Sequence, residues 1–286
     1  MLRCTLSVVK TMAHQLLGAG VDQWPLAKPI WYRFVRPSCL RHWPDLLLAT
    51  MGSGEEFESE LFQRAVKDCR VVLDIGANTG YYTLLAARHV ASTGTVYAFE
   101  PDPTNFDRFA ENVAAYQYCN VLLFQNAVTA QSEPVTLYVS LTNSGDHWMG
   151  ISEPGRRGIP VRGISLDEFF STHRLPAPVD VIKIDIQGAE MLALRGMEQL
   201  LCQSPNLIMF SEFWPLGLSR FGSHARDYLS LLRYHGFQLY EIDEVSRSLR
   251  PVANEELLQR YTPELGNYTN LLCVKRSLDR AIGSAG

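Results

Sequence analysis

The chain has 286 residues, 47% of them hydrophobic and 20% charged, with a formal net charge of −4. That length and balance fit one sizeable globular domain carrying an extension, and they exclude a general nucleic-acid binder, which shows a basic excess or stripe. No run approaches the about 18 apolar residues of a membrane span, so a cytoplasmic protein with no membrane span is expected.

Residues 1–55 read as an N-terminal arm. Met12–Val21 is mildly apolar but interrupted by His14 and Gln15, and no small-residue cleavage site follows. It is expected to pack on the domain, with a membrane-surface helix as the alternative. Pro25, Pro29, Pro37 and Pro44 then break regular structure. Glu55–Val66 is predicted as a helix leading into the short apolar strand Val71–Ile75, of the kind covered on both faces. A helix over Thr83–Val90 and a strand over Thr95–Phe99 follow. Asp102 is a natural N-cap with Pro103 at the first helical position, and that helix runs to about Tyr116, before a strand at Val121–Gln125.

Val135–Val139 and Ile159–Ile164 read as an inserted hairpin, joined by a polar, glycine-containing loop over Leu141–Gly158 that is long enough to be functional. Arg156, Arg157 and Arg162 fall in this region and read as a solvated face, with an acidic acceptor as the alternative. Ser165-Leu166-Asp167-Glu168 is a capping-box sequence. Then come a strand at Val179–Ile184, a helix from about Glu190 to Leu201, a strand at Asn206–Phe210, a helix from about His224 to Tyr234, and strands near Phe237 and Leu271. Strands alternating with helices predict an α/β domain over residues 56–276 with a mostly parallel central sheet, leaving 277–286 as a tail. Cys4, Cys39, Cys69, Cys119, Cys202 and Cys273 are dispersed, with no C-x-x-C pair, so reduced thiols and no metal site are expected.

The chemistry concentrates at the ends of the first two strands. Asp74 ends an apolar run, Gly76 and Gly80 let the backbone turn and approach a ligand, and ligands of open α/β sheets bind at the carboxyl ends of strands. Glu100 ends the next strand about 20 residues on, where a carboxylate can take both hydroxyls of a ribose. The turn reads D-x-G-x-x-x-G. It is neither the G-x-G-x-x-G that seats a pyrophosphate nor the G-x-x-x-x-G-K-[ST] that holds a triphosphate. A nucleoside without phosphates, carrying a cationic tail that Asp74 could approach, fits this pattern.

Four blocks carry a family resemblance: Leu73–Tyr82 (LDIGANTGYY), Ala98–Pro103 (AFEPDP), Asn126-Ala127-Val128, and Ile182–Glu190 (IKIDIQGAE). In order and spacing they resemble the S-adenosylmethionine-dependent methyltransferases of the FkbM type over roughly Glu56 to Val274. The resemblance implies a Rossmann-like methyltransferase fold with helices flanking the sheet, S-adenosyl-L-methionine as cofactor, and O-methylation of a sugar, glycolipid or secondary-metabolite hydroxyl. It implies cofactor contacts at Asp74, Gly76, Ala77, Asn78, Gly80 and Tyr81, at Glu100 and Pro101 for the ribose, at Asn126 and Ala127 for the adenine, and at Asp185. Candidates for the base that takes the acceptor's proton are Asp185, Glu190, His147 and Asp146, with Glu212 and His224 behind them. The tryptophans, Trp24, Trp31, Trp43, Trp148 and Trp214, lie outside the predicted strand interiors; Trp148 and Trp214 are read as sugar platforms and the other three as clamps for the arm. The rival readings are N- or C-methylation of RNA or protein, a cofactor-binding protein without turnover, and a nicotinamide oxidoreductase. The expected partner is a small-molecule or carbohydrate acceptor and not a nucleic acid.

Overall fold

Val71–Ile75 (β1) is buried along its whole length, as a strand is when helices cover both of its faces. The computed structural model describes residues 55–140, 148–149 and 156–282. The N-terminal arm with its three tryptophans, and Asp146 and His147, lie outside the described residues. Helix Glu56–Val66 (α1) leads into β1, and helix Tyr81–His89 (α2) returns the chain to strand Thr95–Phe99 (β2), parallel to β1. Helix Pro103–Tyr116 (α3) is capped as the sequence predicts: Asp102 Oδ1 accepts from the backbone N–H groups of Thr104 and Asn105 at 2.9 and 2.8 Å. Strand Val121–Phe124 (β3) then pairs in parallel with β2.

The insertion comprises Ala127–Val128 (β4), Pro134–Ser140 (β5), Trp148–Met149 (β6) and Arg156–Ile164 (β7), which form a second, four-stranded sheet in the order β4-β7-β5-β6. The β5–β7 pairing is the antiparallel hairpin read from the sequence. Arg156 and Arg157 sit on β7 and not in a loop, because that strand begins three residues earlier than its alternation suggests, and Arg162 lies further along the same strand.

Helix Leu166–His173 (α4) opens on Ser165, whose Oγ accepts from the Glu168 N–H at 3.4 Å and donates to the Gly196 carbonyl at 2.9 Å. After strand Val181–Ile184 (β8), the single helix expected over 190–201 is two, Glu190–Arg195 (α5) and Glu198–Gln203 (α6). The break falls at Gly196, where a Cβ would stand 2.0 Å from the Thr129 carbonyl oxygen, so the insertion's backbone presses against the chain there. Strand Ile208–Phe213 (β9) runs three residues further than predicted. Helix Pro215–Arg220 (α7), helix Ala225–Tyr234 (α8), strands Gln238–Asp243 (β10) and Ser248–Pro251 (β11), helix Asn254–Arg260 (α9) and strand Thr269–Val274 (β12) follow. The segment expected as a tail holds a short helix, Leu278–Ile282 (α10), whose Ala281 and Ile282 are buried against the same core as α1.

The main sheet has the order β11-β10-β12-β9-β8-β1-β2-β3, with β9, β8, β1, β2 and β3 parallel and β12 antiparallel between β9 and β10. Alternation sorts its side chains. Leu73, Ile75, Ile182 and Ile184 face the core beneath α4, α5, α6 and α8, while Val72, Val96, Val181 and Phe210 face α1, α2 and α3. Each large apolar side chain buried in this way contributes about 1.5–3 kcal/mol. Cys69, Cys202 and Cys273 are free thiols as expected, whereas Cys119 is disulfide-bonded; dispersed cysteines carry no spacing signal by which sequence could reveal a pairing. Among the described residues no helix is long and apolar enough to cross a membrane.

Candidate functional site

The parallel strands β1, β2 and β8 all end at one edge of the sheet, and a cavity of about 660 Å³ opens there. The loop after β1 forms its near wall. The Gly76 and Ala77 N–H groups both donate to the Phe99 carbonyl at 3.0 Å, and the Gly80 N–H donates to the Ala77 carbonyl at 2.8 Å, which fixes the turn. Gly76 has φ +85°, and a Cβ there would stand 2.0 Å from the Asp185 carbonyl oxygen, so no side chain fits where the ends of β1 and β8 meet. Gly80, at φ +97°, backs the loop against the Phe109 ring and does not line the cavity.

Asp74 lies on the α2 face of β1. Its Oδ2 accepts from the Thr83 hydroxyl at 2.5 Å, and burial raises its pKa to about 6. Glu100 is held from both sides: Oε2 accepts from the Asn78 N–H and Oε1 from the Asp102 N–H, each at 2.8 Å. The residue that caps α3 therefore also fixes the second carboxylate. Burial pushes Glu100 up to about 8 despite those two donors. Asn78, Tyr81 and Pro101 line the cavity with them, and the buried Oδ1 of Asn78 has no hydrogen-bond partner. Asn126 and Ala127 form the far end; the Asn126 amide donates to the Arg162 carbonyl at 3.4 Å, so the insertion closes that end.

Asp185, directly after β8, lines the cavity with its side chain one-third exposed, and its Oδ1 accepts from the Gln187 amide at 3.0 Å. Glu190 stands elsewhere. Its Oε1 accepts from the Ile186 and Gly188 N–H groups at 3.0 and 3.2 Å, so it shapes the turn that carries Asp185 and does not line the cavity. Burial raises its pKa to about 7. His224 is the exposed residue before α8 and is also not part of the lining.

Three lining groups carry more than the sequence reading gave them. Lys183, paired in register with Asp74, is fully buried; its Nζ donates to Glu58 of α1 at 2.7 Å, stands 3.9 Å from Asp185 and lies 4.8 Å from the Tyr82 ring centre. Surrounded by carboxylates, it stays cationic, its pKa held above the ordinary lysine value against the pull of burial. A lysine inside an apolar strand is the sequence signal for such a pair. Glu55 accepts from the Tyr82 hydroxyl at 3.3 Å and from the Asn270 amide at 2.7 Å. Glu212 lies on the extension of β9 that sequence periodicity did not show; burial and the nearby Asp185 and Glu190 raise its pKa well above the carboxylate range.

This arrangement offers a bare backbone loop between two buried carboxylates, a further carboxylate at the next strand end, and an acidic, partly aromatic wall beyond. It can hold a ligand that brings both a positive charge and hydroxyl donors. Compared with known proteins, residues 74–239, more than half of the chain, match the Methyltransferase FkbM domain. The Hexuronic acid methyltransferase AglP of Haloferax volcanii is 28% identical over 157 residues, 54% of this chain and 61% of that protein. The Methyltransferase 1 of Beauveria bassiana is 24% identical over 149 residues, 46% of this chain and 59% of that protein. The matches thus span about three-fifths of the length of these curated relatives. Among solved structures, an O-methyltransferase from Bacillus cereus in complex with SAH covers 81% of this chain and 88% of its own, at 15% identity and TM-score 0.46. A methyltransferase FkbM from Methylobacillus flagellatus covers 72% and 44%, at 14% identity and TM-score 0.43.

Proposed function

Because the chain belongs to the FkbM methyltransferase domain family, we propose that it transfers the methyl group of S-adenosyl-L-methionine to a hydroxyl of a sugar, glycolipid or secondary metabolite. One observation carries the reading: the two buried carboxylates, Asp74 and Glu100, flank a glycine loop that only a residue without a Cβ permits. The donor set suits this cofactor. Glu100 keeps lone pairs for two ribose hydroxyls after accepting one N–H on each oxygen. Asp74 lines the cavity where the cofactor's cationic end would lie, and the unpartnered Asn78 Oδ1 would accept from an N–H donor there.

When bound, S-adenosyl-L-methionine supplies an electrophilic methyl on a cationic sulfur; its transfer to a hydroxyl oxygen leaves a neutral thioether and releases one proton. The protein's work is then alignment and proton acceptance. Asp185 is the group assigned to take the proton: it lines the cavity, Gln187 orients it, and the Lys183 ammonium stands 3.9 Å away. Glu190 acts through the Ile186–Gly188 backbone and is a positioning residue. The roles first considered for Asp146 and His147 concern residues outside those described. The relative from Haloferax volcanii, a hexuronic acid methyltransferase by name, supports a carbohydrate acceptor as a class and not its charge, and the acidic balance supports a small molecule over RNA.

Incubation with methyl-labelled S-adenosyl-L-methionine and a panel of glycosides tests the reading. Label is expected to appear in an ether-linked methyl group, and Asp185→Asn is expected to lower turnover at least ~100-fold, as loss of a general base does, with cofactor affinity little changed. Label transferred only to RNA or protein would overturn it.

A further inference from the structure

Past the cofactor carboxylates, the cavity ends in a wall built from the paired ends of β9 and β12. Glu212 lies in that wall opposite Asn270, and Trp214 and Tyr268 are the residues just beyond the last register pair, Phe213 and Thr269. Glu212 is only 8% exposed, lines the cavity, and its buried Oε2 has no hydrogen-bond partner. A buried carboxyl oxygen left unmatched is costly; three carboxylates among the described residues keep one, Glu58, Glu190 and Glu212, and of these only Glu212 lines the cavity. Glu212 therefore awaits a polar group from a ligand.

The aromatic half of the wall is fixed in the same way. The Trp214 indole donates to the Gly266 carbonyl at 3.2 Å, and Gly217 lies so close under the ring that a Cβ would stand 2.2 Å from it. The Arg220 guanidinium sits 5.2 Å from the Trp214 ring centre. Tyr268 is 58% exposed, a large ring left standing at the cavity edge. An amphipathic ligand with apolar C–H faces and hydroxyl edges matches such a mouth.

We propose that Glu212, Trp214 and Tyr268 form the acceptor subsite, and that it takes an uncharged polyhydroxylated ring whose hydroxyl edge meets Glu212. The proposal rests on the methyltransferase reading and narrows its acceptor. Charge decides against an anionic ring. Among the described residues, Asp185 and Glu55 border the same space, the buried cation nearby, Lys183, is engaged by Glu58 at 2.7 Å, and the Arg220 guanidinium lies against the Trp214 ring. A ligand carboxylate would have to be desolvated beside two others. A hydroxyl, in contrast, both donates and accepts, and the Glu212 carboxyl, raised by burial, does the same when it holds its proton.

The test uses the full chain, labelled S-adenosyl-L-methionine, and two matched sets of probes: methyl hexopyranosides of gluco, galacto and manno configuration, and the corresponding hexuronates. At least a tenfold preference in kcat/KM for one or more neutral glycosides over the matching uronate is expected. Glu212→Leu and Tyr268→Ala should each raise the acceptor KM at least tenfold with the cofactor Kd unchanged, and Glu212→Gln, which also donates and accepts, should restore most of the loss. Equal or better use of uronates, or Glu212→Gln as impaired as Glu212→Leu, would overturn the proposal. So would transfer to neither set by a protein that binds cofactor. A protein that fails to bind cofactor at all would instead overturn the methyltransferase reading itself.

Discussion

In the proposed reading Glu100 discriminates a ribose from other ligands, since both of its oxygens are already aimed by backbone donors. Replacing it by alanine removes two hydrogen bonds to a charged group, each worth about 1.5–3 kcal/mol. S-adenosyl-L-methionine binding should weaken at least ~100-fold, since ~1.4 kcal/mol is a factor of ten, as calorimetry would measure. Protonation gives a second, independent signature. Asp74 and Glu100 titrate at about 6 and about 8 in the ligand-free protein, and a cationic ligand with hydroxyl donors favours the ionised form of both. Binding therefore releases protons below those values. The Kd is expected to fall as pH rises from 5 and to level off above 8, and Asp74→Asn should remove the lower part of that profile. A profile that is flat from 5 to 9 in the unaltered protein would exclude both carboxylates from the contact.

Two contacts between elements hold the site's floor. The Lys183–Glu58 pair ties β8 to α1 with neither side chain exposed by more than 2%. Removing one partner of such a pair costs about 3–5 kcal/mol because the other charge is left buried alone, whereas replacing both by apolar groups is often neutral. Chemical denaturation should accordingly find Lys183→Met far less stable than the Lys183→Met, Glu58→Leu double variant. At the second contact, the end of β1 meets the turn after β8 at Gly76. Gly76→Ala would drive a Cβ into the Asp185 carbonyl, and its φ of +85° adds strain, so a fall in Tm together with loss of cofactor binding is expected. The β1–α2–β2–α3 unit was legible in the sequence because its strands are short apolar runs bounded by glycine and by a strong cap at Asp102. The break at Gly196 was not, because a lone glycine in a helical pattern is tolerated and the Thr129 carbonyl that requires glycine there comes from the distant insertion. Nor was the extension of β9 to Phe213, which pairing with β12 decides; with it went the setting of Glu212. Lys183 looked like one lysine in an apolar strand until strand order set it beside Asp74.

Over the whole molecule, buried carboxyls in and behind the site have pKa values above their unfolded ones: Asp74 at about 6, Glu58 and Glu190 at about 7, Glu100 at about 8. Between the unfolded carboxylate values, about 4, and those figures, the folded state binds more protons than the unfolded state. Stability from these groups is thus fully present at low pH and is lost as pH rises toward 8. The ligand-free protein should show a Tm that declines across that range, and bound cofactor should reduce the decline by holding Asp74 and Glu100 ionised through direct contact. The main sheet, its helices and the cofactor strand ends follow from a pattern that single strands reveal; the acceptor wall, made where β9 and β12 meet, exists only once the sheet is assembled. The most direct test of the central claim is calorimetric titration of the full chain with S-adenosyl-L-methionine, alongside Glu100→Ala and, separately, NAD. Micromolar binding of S-adenosyl-L-methionine that disappears in the variant, with no binding of NAD, is the predicted result; binding of NAD alone, or binding of S-adenosyl-L-methionine indifferent to Glu100, would contradict it.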